Sequence, residues 1–116
     1  MTPVSARAAL VSPRVELARV ALTAALAVDG VVAGNSGPGG FYVTGEGPGQ
    51  LAGVVAVAEP EGRYSIDLYV TAGLVPLHAL GDAVRARVRE AAAAAGMADR
   101  LGQVGVAIID VAEPRA

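Results

Sequence analysis

The chain contains no cysteine, no lysine and no tryptophan, and only one histidine. Without cysteine there is no disulfide, no thiolate metal site and no thiol nucleophile. Without lysine there is no Schiff base and no P-loop lysine, and all nine basic residues are arginine. The aromatic residues are Phe41, Tyr42, Tyr64 and Tyr69, which offers little to stack on nucleic-acid bases. The formal net charge of -2 exerts no general pull toward nucleic acid or acidic lipid. Metal-binding spacings such as HxxE or DxDxDG are absent, so no metal ligand is assigned. Residues 20–28 form the apolar run nearest to a membrane segment, but Asp29 and Gly30 close it after nine residues, and a span needs about 20. Arg7 and Arg14 ahead of this run loosely follow signal-peptide order; Glu16 and Arg19 break that pattern.

What remains is a small apolar chain rich in alanine and valine. Its 116 residues suit one domain, and a chain of this size buries roughly 65% of its unfolded surface, enough for an unstapled core. Residues 1–12 are expected to form a flexible tail. Ser12 is suited to cap a helix over 13–28, with Pro13 at its first position and Glu16 in its first turn. Glu16, Arg19 and Thr23 make a narrow polar stripe, and Val15, Ala18, Leu22, Ala25 and Leu26 an apolar side. "GVVAVAE" and "YSIDLYVT" read as an antiparallel hairpin around the turn "PEGR". Pro76 opens a second helix that Gly96 ends, with Leu77, Leu80, Val84, Val88, Ala91 and Ala95 along one face. Gly81 inside that helix costs about 1 kcal/mol relative to alanine. "VGVAIIDV", 104–111, is apolar on both faces, which implies cover on both. The expected fold is therefore α+β: one domain over 13–112, α-β-β-α-β in order, with two helices packed on a short, mostly antiparallel sheet. Residues 113–116 are a tail.

The Gly/Pro-rich segment 34–50 is where a cofactor loop would have to lie. Gly47, Gly49 and Ala52 spell a degenerate GxGxxA. The dinucleotide fingerprint follows a strand and opens a helix, whereas this segment follows a helix and precedes a strand. No helix N-terminus then meets a pyrophosphate. The expectation is a mobile loop with an irregular strand at "GFYVTG", and no cofactor. Phe41 and Tyr42, exposed within it, are candidate partner contacts.

The remaining chemistry-bearing residues are scattered. His78 and Asp82 lie one turn apart on the polar stripe of the second helix and read as a solvated pair. Asp67 sits mid-strand with no local carboxylate partner for acid–base work. Arg85 and Arg89 share a helix face, while Arg87 points away; Asp82 and Glu90 dilute the charge. Arg85 and Arg89 are the second pair of candidate partner contacts. No catalytic residue is assigned.

"SPRVELARVALTAALAVDGVVA", "YSIDLYVTAGLVPLHALGDAVRARVREA" and "VGVAIIDV" together resemble the bacterial alkaline shock protein family of envelope stress response proteins, over most of residues 13–112. The resemblance implies a non-enzymatic, self-associating scaffold or adaptor domain in the cytoplasm, tethered in some members at the inner membrane face through an integral-membrane partner. It carries over no catalytic residue. The Gly/Pro-rich middle segment and the lack of lysine depart from the family. Two other readings stay open. One is a small RNA-binding module using Arg85, Arg89 and Arg100, disfavoured by the few aromatics and net charge. The other is a small-molecule site built from the glycine-rich segment and His78, for which no nucleophile or base is identified.

Overall fold

The computed structural model describes residues 12–46 and 49–113. Most of the two expected tails, and Gly47 of the GxGxxA sequence, lie outside the described residues. The element order is α1 (Pro13–Leu26), β1 (Val31–Gly34), β2 (Val43–Glu46), β3 (Gly49–Ala52), β4 (Val54–Ala58), β5 (Tyr64–Ala72), α2 (Leu77–Ala94) and β6 (Leu101–Val111). The α-β-β-α-β order is present, with three additional short strands between α1 and β4.

Both helices start and stop for local reasons. The Ser12 hydroxyl accepts a hydrogen bond from the Arg14 amide at 3.2 Å, and Pro13 occupies the first turn, where its missing N–H costs nothing. α1 ends at Leu26, two residues before the expected boundary. α2 begins after Pro76, and Gly96 follows its end in the left-handed region at φ 73°. Its buried stripe is Leu80, Val84, Val88 and Ala92. Ala91, expected on this face, packs half-buried against the core, whereas two other expected residues do not: Leu77 is 41% exposed, and four-residue steps carry the stripe from Val88 to Ala92, leaving Ala95 exposed.

β5 organises the sheet. One edge pairs along its length with β6, in parallel. The other edge is shared: β4 pairs antiparallel with residues 64–68 and β1 with residues 70–72. The parallel β5–β6 neighbours require a crossover, which α2 supplies. On β5, Ile66, Leu68, Val70 and Ala72 are fully buried, and Ile66, Leu68 and Ala72 join Leu17, Ala18, Ala21 and Ala25 of α1 and Leu80, Val84 and Val88 of α2 in one core. Both helices thus cover the same sheet face. Burying each large aliphatic side chain there stabilises the fold by about 1.5–3 kcal/mol. The strand from 104 begins earlier, at Leu101, and its expected cover on both faces is not found among the described residues: Ile109 is 38% exposed.

The glycine-rich segment, expected as a loop with an irregular strand at "GFYVTG", has regular structure over its described residues, with β2 overlapping that expected strand. It contains a 3-10 turn at Pro38–Gly40 and an antiparallel hairpin in which Val43 faces Ala52 and Thr44 faces Leu51. The hairpin is anchored where β1 ends and β4 begins. The Asn35 amide donates to the Tyr69 carbonyl at 2.8 Å, and the Tyr69 amide donates to the Gly53 carbonyl at 2.8 Å. One residue of the central strand therefore holds both ends of the excursion. Thr44 is buried and donates its hydroxyl to the Val54 carbonyl at 2.7 Å, while Leu51 packs against the core. Gly53 has φ +92°, and a Cβ there would lie 2.6 Å from the Asn35 nitrogen and 2.7 Å from the Tyr69 oxygen. Only glycine fits this junction. Composition suggested mobility because glycine weakens strands; here it admits the tight return instead.

Candidate functional site

Strand alternation fixes what the uncovered face of the sheet carries. With Ile66, Leu68 and Val70 turned to the helices, Ser65, Asp67, Tyr69 and Thr71 point the other way. Register adds Val55 and Val57 from β4, opposite Asp67 and Ser65, and Gly105 and Ala107 from β6, opposite Asp67 and Tyr69. No described helix packs on this face.

The densest part of it lies around Tyr69. The Tyr42 ring stacks on the Tyr69 ring with centroids 3.8 Å apart and planes 7° from parallel. The Tyr42 amide donates to the Ser36 carbonyl at 2.9 Å, and the Tyr42 carbonyl accepts from the Gly53 amide at 2.8 Å, so backbone bonds hold the ring in place. Asn35 donates its side-chain amide to the Thr71 hydroxyl at 3.0 Å and accepts from the Gly37 amide at 2.9 Å, which fixes the segment leading to Tyr42. Desolvation raises the pKa of Tyr69 above 10.0, and the charges of Asp67 and Tyr42 raise it further. Beside Tyr69 a cavity of about 210 Å³ is lined by Asp67, Tyr69, Gly105 and Ala107, among others. Asp67 leans over Gly105, where a Cβ would stand 2.6 Å from Oδ1. Among the described residues Asp67 has no ion-pair or hydrogen-bond partner.

Of the four expected contact residues, Phe41 is 81% exposed. Tyr42, expected to be exposed like Phe41, is half-buried by its stack on Tyr69. Arg85 is also partly withdrawn, donating to Asp82 at 2.8 Å, while Arg89 is exposed. Tyr42 lies on the open sheet face and the arginines lie on a helix of the opposite face, so the four do not form one surface. His78 has 95% of its side chain exposed, with Nε2 3.7 Å from Asp82 Oδ2. The Arg85 hydrogen bond is the main cause that holds the Asp82 carboxyl below its ordinary pKa, helped by the charges of His78 and Arg85. No group of three His, Cys, Asp or Glu among the described residues is placed to hold a metal ion. No described helix is long and apolar enough to cross a membrane.

Sequence reasoning flagged Asp67 but missed its surroundings. The Tyr42–Tyr69 stack joins residues on separate elements, and no local periodicity reports it. The hairpin that delivers Tyr42 did leave a signal: the dipeptide Gly47–Pro48, a turn signal in sequence, separates the two four-residue strands. No family model matches the chain, and neither does a curated protein or a solved structure.

Proposed function

We propose that this chain is a non-enzymatic scaffold or adaptor domain that self-associates through β6. The observation that carries this reading is the outer edge of that strand. β6 is eleven residues long and pairs only with β5 among the described residues. A strand edge presents unpaired N–H and C=O groups to any second strand, and proteins usually protect long edges with lysine, proline, bulges or cover. β6 has no lysine or proline, its one charged residue is Asp110, and between two irregularities, one at 102–103 and one at Ile109, residues 104–108 run in unbroken register with β5 and offer a regular edge. Antiparallel pairing of two β6 strands about a two-fold axis would satisfy both edges and continue the sheet across two copies.

Docking on an integral-membrane partner, at the cytoplasmic face, belongs to the same proposal and follows the resemblance to alkaline shock proteins. Crosslinked pull-down from native cells tests it, and recovery of RNA without a membrane protein would favour the RNA-binding alternative. That alternative is weakened by the engagement of Arg85 with Asp82.

Sedimentation equilibrium tests self-association. The wild-type chain is expected to sediment as a dimer or larger species. Ile109→Lys puts on an already exposed position of β6 the residue type that most often guards a strand edge, and is expected to shift the protein to monomer. A wild-type monomer at high concentration, or an Ile109→Lys dimer of unchanged strength, would contradict the reading.

A further inference from the structure

The open sheet face carries a recognition site that does not depend on β6 pairing. We infer that the cavity beside Asp67 and Tyr69 receives an arginine side chain from a partner polypeptide lying across this face.

Charge identifies the occupant. Asp67 is a carboxylate on the central strand without an ion-pair or hydrogen-bond partner among the described residues. It projects over a glycine rather than into a cluster of cations, and the side chain opposite it on β4 is Val55. A carboxylate in apolar surroundings gains most from a cation that also makes hydrogen bonds. Next to it stands Tyr69, its ring braced by Tyr42 at 3.8 Å. A carboxylate beside a fixed aromatic surface suits a guanidinium, which is planar, bonds carboxylates through two parallel N–H groups and stacks on aromatic rings. An ammonium matches only the charge.

Size and setting argue for a side chain rather than a free metabolite. The cavity holds about 210 Å³, below the 300–1,000 Å³ typical of small-molecule sites. The same sheet face carries further apolar side chains: Val55 is half-buried, Val57 is 50% exposed and Ile109 is 38% exposed. That surface can take the polypeptide on either side of the inserted arginine. The cavity exists because β6 has Gly105 and Ala107 at the positions facing Asp67 and Tyr69. A second copy paired through β6 does not fill it, because β6 contains no arginine.

NMR titration with N-acetyl-arginine amide tests the assignment, with the citrulline amide as an uncharged control of the same shape. The arginine probe is expected to move the Gly105 and Ala107 amides and the Tyr42 and Tyr69 rings saturably. Citrulline, or Asp67→Asn with the arginine probe, is expected to bind roughly tenfold or more weakly, since a hydrogen bond to a charged group contributes about 1.5–3 kcal/mol. Gly105→Ala is a second variant at a half-buried strand position, whose added methyl group meets only the movable end of the Asp67 side chain and displaces the carboxylate; it is expected to weaken binding to the same extent. The spectrum of each variant reports whether it is folded. Equal shifts with citrulline, unchanged binding in folded Asp67→Asn, or shifts confined to α2 would overturn the proposal. Sedimentation is unaffected by any of these outcomes, so this site and the β6 dimer can fail separately.

Discussion

Consecutive residues of β5 live in two different environments. Ile66, Leu68 and Val70 are sealed under α1 and α2, while Asp67 and Tyr69 face outward between β4 and β6. The first set is aliphatic, close-packed and free of polar atoms. The second contains a carboxylate, a stacked pair of tyrosines and a cavity. The alternation of a single strand thus separates the residues that hold the fold together from those available for recognition. The sheet edges differ in the same way: on one side of β5, β1 and β4 share the pairing and the hairpin is tied in at Tyr69, while on the other side β6 has no second partner strand among the described residues.

This contrast predicts very different costs for substitution on the two faces. Leu68→Ala, under the helices, is expected to destabilise the domain by about 2–5 kcal/mol in urea unfolding. Val57→Ala, on the open face, is expected to change stability by no more than about 0.5 kcal/mol. Similar losses at both positions would show that the open face is covered in solution.

The junction between the sheet and the hairpin should come next in cost. Gly53→Ala forces a side chain into a left-handed backbone crowded by Asn35 and Tyr69. The expected loss is about 1–3 kcal/mol, with hydrogen exchange accelerated first in β2 and β3. If exchange rises equally in α2, the hairpin is not a separate unit. On the helix side, Gly81→Ala should be stabilising by about 1 kcal/mol, because its Cβ would meet only the Arg85 guanidinium at 3.6 Å, an ordinary contact. Nothing in the structure explains why glycine stands there.

The smallest stability effect is expected at Asp67. Asp67→Asn should leave neutral-pH stability unchanged and lower the Tyr69 pKa, because one of the charges that raise it is removed. Folded Tyr69 holds its proton more tightly than the unfolded chain does. Stability is therefore fully present below the ordinary tyrosine value of 10.0 and falls as pH rises through the higher folded value. The variant should lose less stability over that alkaline range. Spectrophotometric titration of tyrosinate measures the shift directly, and an unchanged titration would separate Asp67 from the tyrosine pair.

Much of the scaffold was legible in the sequence because its signals are local. Ser12–Pro13 marks a helix start, the alternation from Tyr64 to Thr71 marks a strand with two unlike faces, and Pro76 and Gly96 bracket α2. The glycine-rich segment misled because its composition is that of a loop, whereas its order comes from contacts made elsewhere: Thr44 with Val54, Leu51 with the core and both ends with Tyr69. The site was less legible still. Asp67 stands out in the sequence, but its neighbours Gly105 and Tyr42 are brought to it by parallel pairing and by a hairpin return. The outer edge of β6 became apparent only when pairing placed that strand at the margin of the sheet.

Amide hydrogen exchange along β6, followed from low to high protein concentration, tests the central claim most directly. Pairing through that edge predicts that at low concentration alternate β6 amides exchange quickly, because only one edge of the strand is bonded to β5, and that at high concentration the fast set becomes protected. Fast exchange of the same alternate amides at every concentration would contradict it.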